Sequence, residues 1–202
     1  PLPGFYEQSS IFIELDKVVT QIEANKKQGL ATEDLESEVD ELVFDAYNLL
    51  DFEKEIIREF YDINVHRKND KVKLSDLQKY ANKFREIYEL VLDDNFTLDV
   101  TYKISPNFGA FLSFSIIEKQ YANYELKTSN INDSELFHLI KSNQLEEAFY
   151  ANRLNEVKTK LYEENRFFLI KSNFFKDWTV RKAINDANEE IKLLTHEPIL
   201  NE

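Results

Sequence analysis

The sequence predicts an α+β fold, in which an N-terminal helical segment is followed by a small domain with antiparallel β-hairpins and flanking helices. Three observations predict it. Apolar residues recur at helical period through the first third, the period switches from 3.6 to 2 after Val91, and the last third reads strand, strand, helix. The expected organisation is a three-helix tail over 1–66, a linker over 67–74 and an α+β domain over 75–202.

Leu2-Pro3-Gly4 opens with turn chemistry, and Ser9 or Ser10 can cap a first helix. That helix carries Ile11, Leu15, Val18, Val19 and Ile22 on one face and should end at Gly29. A second helix begins near Thr32 with an acidic first turn that suits the macrodipole, and its inward face would be Leu35, Val39, Leu42, Val43 and Ala46. A third runs from about Asp51 with Ile56, Ile57 and Phe60 inward. Residues 66–73 are polar and of mixed charge, hence the linker.

Ser75 and Gln78 have capping-box spacing ahead of a helix that buries Leu77, Tyr80, Ala81, Phe84, Ile87, Tyr88 and Val91. Phe96, Leu98, Val100, Tyr102 and Ile104 then alternate with Thr97, Asp99, Thr101 and Lys103, as in a strand with one wet face. After a turn at Ser105-Pro106-Asn107, Phe108 to Ile117 is apolar on both faces and reads as a more deeply buried strand. Ile131 to Asn152 should be helical, capped by Ser134, with Leu136, Leu139 and Ile140 inward. Val157 to Leu161 and Arg166 to Lys171 form a second hairpin around Glu163-Glu164-Asn165. A final helix from about Thr179 to Leu194 buries Val180, Ile184, Ala187, Ile191 and Leu194.

Composition narrows the function. The chain has 202 residues, 43% hydrophobic and 31% charged, the balance of a globular protein. It starts at Pro1 and contains no Met, which reads as a piece of a longer chain. No apolar run approaches the ~18 residues of a membrane span, and no signal pattern opens the chain, so the expected setting is cytoplasmic. Cys is absent, which excludes disulfides and thiolate metal sites. The formal net charge of −13 is opposite to the basic field of a free-standing DNA binder. The acidity is uneven: residues 1–72 hold 8 Lys/Arg against 17 Asp/Glu, and the remainder 17 against 21.

No catalytic pattern is expected here. His66, His138 and His196 are far apart and show no metal-ligand spacing. The three glycines, Gly4, Gly29 and Gly109, make no phosphate-cradling loop. Ser113 and Ser115 lie in a strand without a nucleophile-elbow motif. The fragment therefore reads as having no catalytic residue, no metal and no cofactor of its own.

One local exception to the acidity lies between Arg166 and Lys182. Arg166, Lys171, Lys176, Arg181 and Lys182 stand there against Asp177, with Phe174, Phe175 and Trp178 interleaved. Cations beside aromatics suit phosphate contact with stacking. Two other readings stay open: Trp178 and Phe174 plug the core while the charges are solvated, or the patch meets a partner protein.

Two stretches resemble a known family. Leu2-Pro3-Gly4-Phe5-Tyr6-Glu7-Gln8 and then Leu35 to Leu49, in particular Val39-Asp40, Leu42-Val43-Phe44 and Tyr47-Asn48-Leu49, resemble the tail of large bacterial N6-adenine DNA methyltransferases, including type IIG restriction-modification enzymes. Asn48 stands where the tail usually has Gly. Arg166 to Asn173, then Trp178-Thr179-Val180-Arg181-Lys182-Ala183 and Asp186-Ala187, resemble an ending found on bacterial defence methyltransferases, with Ser172 in place of Pro. The resemblance implies a parent enzyme that moves a methyl group from S-adenosylmethionine to a flipped adenine, held by an Asn/Asp-Pro-Pro-Tyr/Phe loop. That loop is not in this sequence, where Ser105-Pro106-Asn107-Phe108 has related letters in another order. It implies a C-terminal accessory piece whose partners are the rest of the methyltransferase chain and double-stranded DNA, with no membrane. The competing expectation is an acidic protein-interaction adaptor with no DNA role.

Overall fold

A computed structural model describes residues 9–67, 69–106, 109–142, 159–163 and 166–196. The expected Leu2-Pro3-Gly4 turn, the hairpin tips at Asn107-Phe108 and Glu164-Asn165, the helix beyond Ser142 and the strand start at Val157 lie outside the described residues, as does the side chain of Leu194. The fold is α+β, with N-terminal helices preceding a five-stranded mixed sheet. The chain divides into two compact units at Ile57/Arg58.

The first unit contains α1 (Ser9–Gln28), α2 (Glu33–Ala46) and the start of α3 (Asp51–Tyr61). In α1 the residues turned from solvent are Ile11, Leu15, Val18 and Ile22, the expected stripe, while Val19 is exposed. Gly29 stops this helix at φ +69°, with its N–H bonded to Lys26 and that of Leu30 to Asn25, a Schellman pair. The same device ends α2, where Asn48 takes φ +53° while Asn48 and Leu49 donate to Asp45 and Phe44. Asn tolerates this left-handed position better than other non-glycine residues. The inward face of α2 is corrected in one place: Phe44 is buried and Val43 is exposed. In α3, Ile56 is half-buried, but Ile57 and Phe60 face solvent, contrary to expectation.

The second unit begins with the end of α3, which continues into a π-helical turn at Asp62–His66. The expected linker over 67–74 is instead pinned down. The Arg67 guanidinium makes a bidentate pair with Asp76 at 3.0 and 2.7 Å and lies 3.6 Å from the Phe175 ring centre. Val72 donates to Asn173 O, Phe175 donates to Asp70 O, and Lys71 bridges Phe174 in antiparallel fashion. A charged stretch thus docks because its backbone exchanges hydrogen bonds with residues 173–175 and the Val72 side chain is buried.

Helix α4 (Leu74–Tyr88) starts earlier than its Ser75/Gln78 spacing suggested. Lys73 is the N-cap, and the Asp76 carboxylate accepts from its N–H at 2.8 Å. Gln78 is free of capping and clamps a later loop, accepting from Leu126 N–H and donating to Tyr124 O. Leu77, Tyr80, Ala81, Phe84 and Tyr88 are buried as expected; Val91, in the 3-10 turn that follows, is exposed.

Strands β1 (Phe96–Ser105) and β2 (Gly109–Glu118) form the expected hairpin. With β3 (Lys127–Thr128), β4 (Thr159–Glu163) and β5 (Arg166–Lys171) they give the order β3-β1-β2-β5-β4; β3 is parallel to β1 and the other pairings are antiparallel. Strand alternation sends the sheet's side chains to two faces. Leu98, Val100, Leu112, Phe114, Phe167 and Leu169 pack under α4 and α6 (Val180–His196). Phe111, Phe168 and Ile170 face the other way and pack on Leu136, Leu139 and Ile140 of α5 (Asp133–Ser142). The face of β1 expected to be wet is therefore partly roofed by α5, which the single-strand pattern could not reveal. Asn132, not Ser134, caps α5: its Oδ1 accepts from Glu135 N–H, and the Glu135 carboxylate accepts from Asn132 N–H.

Candidate functional site

Two features of the second unit offer chemistry to a partner, and the sequence candidates divide between them. Arg166 opens β5 and Lys171 closes it, so about 17 Å of strand separates them at ~3.3 Å per residue. Lys176, Trp178, Arg181 and Lys182 follow Lys171, in the turn and first residues of α6. The expected single patch is thus split in two.

At the Lys171 end, two of the six candidates are interior. Lys171 is only 4% exposed and Trp178 only 1%. Strand parity puts Lys171 on the same face as Phe167 and Leu169, under the helices. There its Nζ is ion-paired with Asp186 and donates to the Tyr80 hydroxyl and to Asp177 O, both at 3.1 Å. The Tyr80 hydroxyl also donates to Asp186. Burial, then the Asp186 charge, push the Tyr80 phenol well above its ordinary pKa. A buried ammonium with its charges matched in this way holds the fold together and cannot reach a phosphate. Trp178 is a core plug: its ring packs edge-on against Tyr80 at 5.0 Å, and its Nε1 donates to Ser172 O at 2.7 Å.

Lys176, Arg181 and Lys182 are exposed, and among the described residues none of the three makes an ion pair. Phe174, half-buried, lies between Lys71 and Lys176, whose Nζ atoms are 3.9 and 5.8 Å from its ring centre. Lys71 is an addition that only its antiparallel bridge to Phe174 brings here. The first amides of α6 are already satisfied: Glu59 accepts from Val180 N–H at 2.7 Å, and Thr179 Oγ1 accepts from Lys182 N–H. The chemistry of this turn is therefore that of side-chain cations around an aromatic ring.

The second feature is a cleft of about 630 Å³ between the sheet and α5. Its floor is a row of paired residues: Lys127 beside Thr101, Thr101 opposite Ser113, Ser113 opposite Phe168. Arg166 stands at one end, and Glu135 and Leu139 of α5 contribute to the wall. Sequence reading named Arg166 but missed the rest, because β3 is two residues long and carries no periodic signal.

Among the described residues no group of three or more His, Asp or Glu side chains is placed to hold a metal ion. Of the three glycines, Gly29 ends a helix, Gly109 opens β2, and Gly4 lies outside the described residues. No described helix is long and apolar enough to cross a membrane. No family model, no curated protein and no solved structure matches this chain.

Proposed function

We propose that this chain is a non-catalytic C-terminal accessory part of an S-adenosylmethionine-dependent adenine-N6 DNA methyltransferase of a bacterial restriction-modification or phage-defence system. In this reading it works in the cytoplasm, stabilises the catalytic part and touches DNA through the turn that leads into α6. The observation that carries the DNA contact is the set Lys176, Arg181 and Lys182, exposed and without ion pairs among the described residues in a chain of net charge −13. Cations left unmatched in so acidic a chain suit a phosphate backbone. The methyltransferase half rests on the resemblance of residues 2–49 and 166–187. Asn48 supports it, since the position where the family tail has Gly is here a left-handed helix stop.

The alternative is a protein-interaction adaptor with no DNA role. Phe60, Tyr61 and Val65 favour it, because they are exposed along 60–65 where a packed helix would hide them. The two readings differ in one measurement: duplex DNA binding across a salt series, beside a Lys176→Glu/Arg181→Glu/Lys182→Glu variant. Contact with two or three phosphates predicts a log–log salt slope of about −2 to −3 and loss of binding in the variant. No binding at the lowest salt would remove the DNA role and leave the adaptor. Lys171→Glu is unsuitable here, since it would place a carboxylate beside buried Asp186 and unfold the domain rather than report on DNA.

A further inference from the structure

We propose that the patch formed by Leu90, Val91, Phe96 and Ile116, at the end of the sheet where α4 stops, docks a basic amphipathic helix of a partner protein. This surface is separate from the basic turn and does not depend on the DNA reading. β2 pairs with Lys171 at Ala110 and with Phe96 at Glu118, so the patch and the basic turn lie at opposite ends of the sheet.

The patch exists because the helical cover ends early. Phe96 stands two residues before Leu98, and Ile116 is the cross-strand partner of Leu98, so strand alternation turns all three to the face on which α4 packs. Leu98 is fully buried, whereas Ile116 is 45% exposed and Phe96 38%. Helix α4 ends at Tyr88, and the 3-10 turn Glu89–Val91 that follows presents Leu90, 78% exposed, and Val91. This turn packs on β1: the Thr97 hydroxyl donates to the Glu89 carboxylate, and Leu92 reaches into the core. Large apolar side chains held side by side in the open on fixed backbone mark an interaction surface, unlike the single exposures scattered over any protein.

The charges choose the occupant. Glu86, Glu89, Asp93, Asp94 and Glu118 belong to the same turns and strand ends, against Lys119. Glu86 is ion-paired with Lys83 at 2.7 Å, but among the described residues Glu89, Asp93, Asp94 and Glu118 make no ion pair. The buried Arg85 guanidinium directs its donors to Leu98 O and Asn82 Oδ1 instead. An apolar centre with an acidic rim fits a helix whose apolar anchors, at i, i+3, i+4 and i+7, are flanked by Lys or Arg. The same rim disfavours other occupants. DNA and anionic lipid are repelled, and a second copy docked patch to patch in a two-fold contact would set like charges against each other. So few anchors fall short of the roughly 20–30 residues a side of a standard interface, which makes the expected binding micromolar and reversible.

The test is an NMR titration of the whole chain with a synthetic amphipathic helical peptide of Leu and Lys, beside a Leu and Glu peptide of the same pattern. The expected result is saturable shifts of the Leu90, Val91, Phe96 and Ile116 amides with the Lys peptide, at a dissociation constant below about 100 μM. The Glu peptide should bind about tenfold more weakly or not at all. Leu90→Ser/Ile116→Thr should weaken binding about tenfold or more, and Asp94→Lys/Glu118→Lys should do the same at low salt and less at high salt. Each substituted position is exposed, so both spectra should stay folded. Absence of saturable shifts at the patch overturns the proposal. So do shifts confined to residues 33–66, which would mean attraction to the acidic helices, and patch shifts that survive either double variant. A dimer of the free chain in sedimentation, lost in Leu90→Ser/Ile116→Thr, would put a second copy on the patch and overturn it as well. A patch that stays silent while duplex DNA still binds at the turn removes this site and leaves the other intact.

Discussion

On one face of the sheet, rings of Phe84, Tyr88, Phe114 and Phe167 pack 4.4–5.9 Å apart between the strands and two helices, and Lys171 there is matched by Asp186 and the Tyr80 hydroxyl. On the other face α5 covers Phe111, Phe168 and Ile170, and a polar cleft lies beside them. The same strands supply both faces, so the difference arises from alternate side chains and from which of the described helices pack on each. Closed packing on one side supplies stability, and incomplete cover on the other leaves hydroxyls and cations accessible. A face that is sealed tolerates a lysine only if it is matched, as Lys171 is. On the other face the buried Ser113 hydroxyl makes no hydrogen bond among the described residues.

The largest expected effect tests the sealing. Lys171→Met removes the cation and leaves the Asp186 carboxylate buried without its ion pair, which should cost about 3–5 kcal/mol in chemical denaturation. The triple variant Lys171→Met/Asp186→Leu/Tyr80→Phe replaces these three polar side chains with apolar ones and should recover most of that loss. A cost below ~1 kcal/mol for Lys171→Met would mean that water reaches the pair, and the contrast between the faces would fail.

Neighbouring residues sharpen the comparison. Phe167 and Phe168 are adjacent in β5 and point to opposite faces. Phe167→Ala would leave a hole among Phe84 and Tyr88 of α4 and Phe114 of β2, all buried, so its cost should lie near the upper end of the ~3–5 kcal/mol range. Phe168 stacks on Phe111 at 5.3 Å but borders the cleft, where side chains can move into the gap. Its alanine variant should cost about 1 kcal/mol less. Equal costs would show that α5 packs as tightly as the helix pair.

How much of this was legible in the sequence follows the same division. The closed face was readable, because the i, i+3, i+4 stripe of α4 and the two-sided run of β2 are strong periodic signals. Lys171 was misplaced because its charge was read without parity, whereas Trp178 is the core plug that one of the open readings expected. Phe167, Leu169 and Lys171 share one face of the strand, and Asp186 sits within the Ala183–Ala187–Ile191 stripe of α6, so a buried pair was there to be found. The cleft was not readable. It depends on the parallel pairing of Lys127 with Thr101, a contact between residues whose local sequence has no periodicity. In α3, Ile57 and Phe60 follow helical spacing yet face solvent, since period identifies an apolar face and not what covers it.

The smallest effect at neutral pH grows in alkali and belongs to the closed face alone. Burial, and then the nearby Glu190 carboxylate, push the Tyr88 phenol up to about 12. A phenol whose folded pKa is raised contributes stability that is fully present below the unfolded value of about 10 and is lost as pH rises through the folded value. Denaturation midpoints should therefore fall between pH 10 and 12 more steeply in the wild type than in Tyr88→Phe, and phenolate absorbance should lose a component near pH 12 in the variant. Near pH 7 this ionisation contributes no pH dependence to either protein. Parallel alkaline slopes in the two proteins would mean that the Tyr88 hydroxyl meets water, and the packing of Phe84 and Phe167 around it would then be looser than ring separations of 5.9 and 5.7 Å imply.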